Sequence, residues 1–209
     1  MQRDAIGLQI SLDVEGKTAL VVGGGAEADD KVTRLVDANA RVSVVSRTPG
    51  VVVSGLARDG RIALFGRGFE NGDLNSADLV FVCEKDEALA EKVHAAAADR
   101  GVAIWCCDDP ARSDLAMPAL ARIGRARIAI STAGAAPALA GRIRLALERD
   151  LGAPFVEFLE ALAAERERLR TSEPDIAKRK AALVALVEGF DLHVEPVFPA
   201  PKKDAETGP

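Results

Sequence analysis

The chain reads as an α/β protein, a Rossmann-like parallel sheet followed by a small strand-helix region and a C-terminal helical domain. Three observations predict this. Short apolar runs alternate with helix-patterned segments over the first half. A glycine turn joins the first run to the first helix. After Pro110 the rhythm changes to two short strands and then to amphipathic helices.

In order, "TALVV" at 18–22 is a β-branched run, and Val32, Leu35 and Val36 recur behind it at helical spacing. "RVSVVS" from Arg41 follows the turn residues Asn39 and Ala40. "IALFG" from Ile62 and "LVFVC" from Leu79 supply two more strands, "DEALAEKVHAAAADRG" a helix, and "VAIWCC" from Val102 a fifth strand. Strands alternating with helices predict a parallel sheet covered on both faces. "LAMPALARIGRARIAIST" then reads as two strands around Gly124. "APALAGRIRLALERDLG" reads as a helix with Pro137 in its first turn and Gly152 past its end. "PFVEFLEALAAERERLR" and "PDIAKRKAALVALVEGF" are two further amphipathic helices whose apolar stripes need a partner surface. The expected divisions are 1–112, 113–152, 153–192 and a disordered tail at 193–209.

Composition narrows the function. The 209 residues are 48% hydrophobic, which suits a soluble globular chain. No run approaches the roughly 20 apolar residues of a membrane span, and the N-terminus lacks a signal-peptide pattern, so a cytoplasmic location is expected. Cys83, Cys106 and Cys107 are odd in number and lack C-x-x-C spacing, which predicts reduced, buried thiols. His94 and His193 lie far apart on the sequence, and no metal-ligand set is expected. A net charge of -5 argues against nucleic acid. Yet residues 111–150 hold seven arginines against three acids. Such a block suits an anionic small molecule, or is a solvated face with helix-end charges.

Gly23, Gly25 and Ala28 satisfy G-x-G-x-x-A between strand and helix. The first glycine permits the tight turn, the second lets backbone approach a pyrophosphate, and the small third residue lets helix and strand pack closely. Gly23, Gly24, Gly25, Ala26 and Glu27 therefore form the candidate cofactor turn, with Ser46 and Arg47 at the end of the second strand. An acid there would bind a ribose 2′-hydroxyl, so Arg47 points toward NADP, although an arginine also stacks on adenine. Asp29 and Asp30 complement the helix dipole but bring negative charge toward the phosphates.

The ordered motifs "LDVEGKTALVVGGGAEADDK", "WCCDDPARSDLAMPAL" and "IAISTAGAAPALAGRIR" resemble one family over residues 8 to 150: the dehydrogenase and chelatase module of siroheme synthase. The resemblance implies a Rossmann domain, a dimerisation and substrate-binding region, and a helical domain. It implies NAD-dependent oxidation of precorrin-2 to sirohydrochlorin by a homodimer, with Fe2+ as a second substrate where siroheme is made. The basic block would then face a tetrapyrrole bearing eight carboxylates. The methyltransferase that makes precorrin-2 is expected to be supplied separately.

Carried onto this chain, the family's proposed base falls on Asp108, and Asp109 before Pro110 is expected to organise a turn. Ser131, Thr132, Arg112 and Lys31 fall in the substrate region. Ser131 alternatively ends a strand as a cap, and Lys31 alternatively is a solvent-exposed lysine of the first helix. The chain departs from the family at Trp105, at "VCEKDEA" and at Ala133, where a glycine is usual. These departures leave two other readings open: an enzyme with only one of the two activities, and a non-catalytic nucleotide- or tetrapyrrole-binding dimer.

Overall fold

The computed structural model describes residues 8–198. Residues 1–7 and 199–209, which include most of the expected tail, lie outside the described residues. Five parallel strands, β1 (Thr18–Val22), β2 (Arg41–Val45), β3 (Ala63–Phe65), β4 (Leu79–Val82) and β5 (Ala103–Cys106), form one sheet in the order β3-β2-β1-β4-β5. The chain order reverses between β1 and β4, so their carboxyl ends border the crevice where such sheets take ligands.

Continuous apolar runs make these strands because both faces are covered. Leu20 and Val22 point to one core, with Val80, Val82, Ile104 and the α3 (Glu87–Ala98) residues Val93 and Ala97. Ala19 and Val21 point to the other, with Val44 and the α1 (Gly25–Asp37) residues Ala28, Val32 and Leu35. Each of these branched side chains, fully buried, stabilises the fold by about 1.5–3 kcal/mol.

One helix was not anticipated: α2, Val51–Arg58. Its opening "VVVS" favours a strand, but Val53 is fully buried and the Asp29 carboxylate of α1 accepts its backbone N–H at 2.9 Å. Tertiary packing and that borrowed cap override propensity. Asp30 accepts hydrogen bonds from Lys31 and Arg34, so Asp29 and Asp30 are both engaged in protein contacts.

The free edge of β5 is covered by the segment after it. Asp114 accepts from the Ile104 N–H at 3.2 Å and returns its own N–H to the Ile104 carbonyl at 2.8 Å. The Ser113 hydroxyl accepts from Cys106 at 2.9 Å. An edge satisfied in this way does not recruit further strands, and it fixes residues 107–112 above the strand end.

The described residues fall into two compact units, one of 8–119 with 129–142, the other of 120–128 with 143–198. β6 (Ala119–Ile123) and β7 (Ala126–Ile130) pair as a hairpin that turns at Gly124. α4 (Pro137–Ser172) is two helical stretches broken at Gly152, whose φ of 47° and ψ of -157° are not helical; Pro154 opens the second. α5 (Ile176–Ala185) is capped by Asp175 and ends earlier than its apolar pattern suggests. Beyond it the chain turns, and Phe190 stacks on Phe158 with centroids 5.9 Å apart and meets Phe155 at 6.1 Å. Among the described residues no helix is long and apolar enough to cross a membrane.

Candidate active site at the carboxyl ends of the strands

The glycine turn leaves β1 with the Gly23 N–H donated to the Val45 carbonyl at 3.0 Å. Gly23 has φ 107°, and a Cβ there would stand 2.9 Å from the Cβ of Glu84. Gly24 has an ordinary extended backbone, yet its Cβ would lie 2.0 Å from the Thr48 carbonyl oxygen. The turn is thus pressed between the loops after β2 and β4, a cradle that any side chain would fill. Gly24 caps α1 without a side-chain hydrogen bond, leaving the first amides of the helix to a ligand. Aligned peptide dipoles favour an anion there, so these residues fit the pyrophosphate of a dinucleotide.

A cavity of about 250 Å³ continues from this turn, lined by Ser46, Arg47, Thr48, Arg67, Phe69 and Glu84 among others. Ser46 is buried and its hydroxyl accepts the Thr48 N–H at 3.1 Å. Arg67 lies over the Phe65 ring and is held by Asp73 at 2.6 Å.

Asp108 follows β5 with a left-handed backbone, φ 55°. Such a conformation is uncommon outside glycine but best tolerated by Asn and Asp. The Asp108 carboxylate is mostly exposed and meets the Lys85 ammonium, three residues past the end of the neighbouring β4, at 2.5 Å. Glu27 at the start of α1 acts electrostatically on both Lys85 and Cys107, so the glycine turn and the Asp108 loop share one end of the sheet. Asp109 is engaged otherwise. Its side chain accepts the Arg112 N–H at 3.2 Å and pairs with the guanidinium at 2.5 Å. That guanidinium, bonded to the carboxylate, holds Asp109 below the ordinary carboxylate range. Of the two aspartates, only Asp108 is free of the turn.

The cysteines are inert groups in this setting. Burial pushes the Cys83 thiol far up, and pushes Cys106 to about 11 with Asp109 adding to it. Cys107 is raised by burial and then by the Asp108 charge. Neutral thiols are poor nucleophiles and poor metal ligands. Among the described residues no three His, Cys, Asp or Glu side chains converge as a metal site.

Two residues expected at the substrate are occupied by protein groups. Lys31 is 6% exposed, not solvated, and lies 4.6 Å from the centre of the Trp105 ring with Asp30 at 2.8 Å and Glu27 at 3.1 Å. Burial opposes its charge, but the hydrogen-bonded carboxylates outweigh burial and raise its pKa. Trp105 is in turn packed against Phe81, centroids 6.3 Å apart, as part of the core under α1. Arg112 ties the Asp109 turn to Glu91 at 2.8 Å and Glu87 at 3.5 Å on α3. Arg125, Arg144 and Arg149 likewise pair with Glu160, Glu148 and Asp150. The basic block is therefore largely neutralised, because several of its partners lie outside the segment in which the charges were counted.

Ser131 and Thr132 build a turn of their own before α4. The Ser131 hydroxyl accepts the Ala133 N–H at 3.2 Å, and Thr132 accepts Ala136 at 3.1 Å. Ala133 itself sits at φ 50°. A left-handed alanine costs roughly 1–2 kcal/mol. Ala133→Gly relieves that strain against a loss in unfolded-chain entropy, so urea titration should show a gain of about 0.5–1 kcal/mol.

A family model described as "Putative NAD(P)-binding" matches residues 10–119, just over half of the chain. The chain belongs to that family. This NAD(P)-binding chain is also 31% identical over 176 residues to siroheme synthase of Pseudomonas aeruginosa, an alignment covering 84% of the chain and 38% of that protein. Against siroheme synthase of Methylococcus capsulatus it is 31% identical over 182 residues, 87% of the chain and 38% of the relative. It thus spans less than half the length of these relatives. Among solved structures it is similar to "SirC, precorrin-2 dehydrogenase", with a TM-score of 0.77 at 21% identity, covering 87% of this chain and 89% of that one. That likeness shows the fold.

The structure brings Gly23, Gly24, Ser46 and the cleft residue Arg47 together, and sets Asp108 at the same end of the sheet. Ser131 and Thr132 belong to their own turn. Sequence reading missed Lys85, Glu84 and Thr48 as site residues. A signal existed for the first two, which directly follow the β4 run at the point where the strand order reverses.

Proposed function

We propose that the chain is a dehydrogenase that oxidises precorrin-2 to sirohydrochlorin with a nicotinamide dinucleotide, working as a cytoplasmic homodimer. The observation that carries this reading is Asp108, an exposed carboxylate at the carboxyl end of β5, paired with Lys85 and free of the turn hydrogen bonds that hold Asp109, beside a glycine cradle shaped for a dinucleotide. Likeness to siroheme synthases and to the precorrin-2 dehydrogenase fold supports it. The oxidation removes a hydride and a proton from the macrocycle. NAD, when bound, supplies the hydride acceptor. Asp108 receives the proton, and Lys85, paired with the carboxylate, orients it before the transfer. Gly23, Gly24 and the first amides of α1 hold the pyrophosphate, and Ser131 and Thr132 present hydroxyls to the substrate. In a chelatase step with Fe2+, the macrocycle nitrogens are the ligands and Asp108 accepts the protons they release.

The departures at Trp105, packed into the core against Phe81, and at Ala133 favour a second reading, a nucleotide- or tetrapyrrole-binding dimer without turnover. The two separate when purified protein is mixed with enzymatically generated precorrin-2 and either NAD or NADP, iron being left out. The dehydrogenase reading expects the absorbance change of sirohydrochlorin formation, stoichiometric with reduced cofactor. A folded dimer that binds both ligands and forms none sinks it in favour of the carrier. Added Fe2+ and preformed sirohydrochlorin test the chelatase separately.

A further inference from the structure

On the inner face of α1 a buried lysine meets the only tryptophan of the chain. Lys31 stands on the second turn of α1, and helix side chains lean toward the N-terminus, so its ammonium reaches back to the first turn. There it lies 4.6 Å from the centre of the Trp105 ring, donating to Asp30 at 2.8 Å and to Glu27 at 3.1 Å. It acts electrostatically on Cys83 and Cys107, the residues directly after β4 and β5, which puts the cation at the ligand end of the sheet. A lysine only 6% exposed is costly to desolvate, and the two carboxylates and the ring face offset that cost. The cation answers a conflict in the first turn. The amides of that turn, which the dinucleotide reading gives to the pyrophosphate, belong to the same residues that carry the Glu27 carboxylate. Like charges held so close oppose binding. Asp30 shares its charge with Arg34 at 3.1 Å, but among the described residues Lys31 is the cation paired with Glu27.

We propose that Lys31 is a positioning residue of the cofactor site: seated on Trp105, it ties down and neutralises the Glu27 carboxylate so that the first turn of α1 accepts a pyrophosphate. The inference rests on the dinucleotide reading of the glycine turn. Lys31 touches no ligand in this role and acts through Glu27.

Calorimetric titration of the whole chain with NAD at low and at high salt tests this, on wild type, Lys31→Met, Glu27→Gln and the double variant. Methionine keeps an unbranched stem against Trp105 and removes the charge. Lys31→Met should weaken NAD by about tenfold, the scale of one unit charge several ångströms from a phosphate near a protein surface, and high salt should shrink the gap from wild type. Adding Glu27→Gln should restore affinity to within about threefold of wild type, because the repelling charge is gone. Glu27→Gln alone leaves the cation in surplus and should tighten NAD by about two- to fivefold. Its side chain is half-exposed, so this variant decides the matter should Lys31→Met fail to fold. Unchanged affinity in Lys31→Met overturns the proposal. So does a loss that persists in the double variant and ignores salt, which would assign Lys31 to core packing alone, and so does a Glu27→Gln protein that binds NAD no more tightly than wild type. In each of these cases NAD binding by wild type keeps the dinucleotide site. A wild type that binds neither NAD nor NADP overturns both readings.

Discussion

Asp108→Asn is expected to lower kcat for precorrin-2 oxidation by about 10²- to 10⁴-fold, the usual contribution of a positioned general base. Dinucleotide affinity should stay within about twofold and the fold within about 0.5 kcal/mol, as for an exposed substitution away from packing. The structure gives reasons for both halves. Asparagine tolerates the left-handed backbone that Asp108 adopts, so the loop after β5 keeps its path. The lost ion pair to Lys85 is between two exposed side chains and is screened by solvent. What disappears is the one carboxylate in "CCDDP" that no turn hydrogen bond occupies. Asp109→Ala is the informative contrast. It removes the acceptor for the Arg112 N–H and the ion pair to its guanidinium, so it should cost about 1 kcal/mol of stability, as loss of a cap does, while turnover persists. Stopped-flow turnover and urea unfolding on the same two variants provide the check. If Asp109→Ala abolishes turnover while Asp108→Asn preserves it, the base has been assigned to the wrong residue.

The contrast between these neighbours also shows where sequence reading stops. "TALVV" and "LVFV" announce a sheet buried on both faces because every position is apolar, and a glycine turn between strand and helix has few other uses. Position after β5 was therefore legible. The backbone twist that separates Asp108 from Asp109 was not, since both are aspartates and either could accept it. α2 was hidden for a different reason: its β-branched start is overruled by Val53 packing and by a carboxylate 24 residues earlier. Lys31 reads as an ordinary surface lysine until Asp30, Glu27 and the Trp105 ring are seen around it. The arginine block misled in the same way. Glu87 and Glu91 neutralise Arg112 from α3, and Glu160 neutralises Arg125 from 35 residues further on, so a local charge count had no access to the balance.

Gly24→Ala is expected to abolish measurable dinucleotide binding and to destabilise the fold by about 1–3 kcal/mol, the range of overpacking a tight site. The argument is steric alone. Gly24 has φ -136°, which alanine adopts freely, so no conformational penalty enters. The added methyl would lie 2.0 Å from the Thr48 carbonyl oxygen and 2.9 Å from the Ser46 hydroxyl. A carbonyl oxygen cannot swing aside like a side-chain tip. Thr48 is held to Ser46 by the hydrogen bond from its N–H, and Ser46 is buried at the end of β2, hydrogen-bonded to the Phe65 carbonyl of β3. Relief therefore requires the 46–48 loop to lift, carrying Arg47 away from the ribose position and opening the floor of the cleft. Gly25→Ala isolates the opposite case. Its Cβ would meet nothing within 4 Å, but its φ of 76° charges alanine roughly 1–2 kcal/mol. Gly25→Ala should thus lose stability yet retain weakened binding, whereas Gly24→Ala should lose binding outright. Thermal unfolding with and without NAD separates them: ligand should still raise the Tm of the first and leave that of the second unmoved. If Gly24→Ala instead binds NAD like wild type, the loop after β2 is not seated on the glycine turn in solution, and the position of Arg47 in the cleft falls with it.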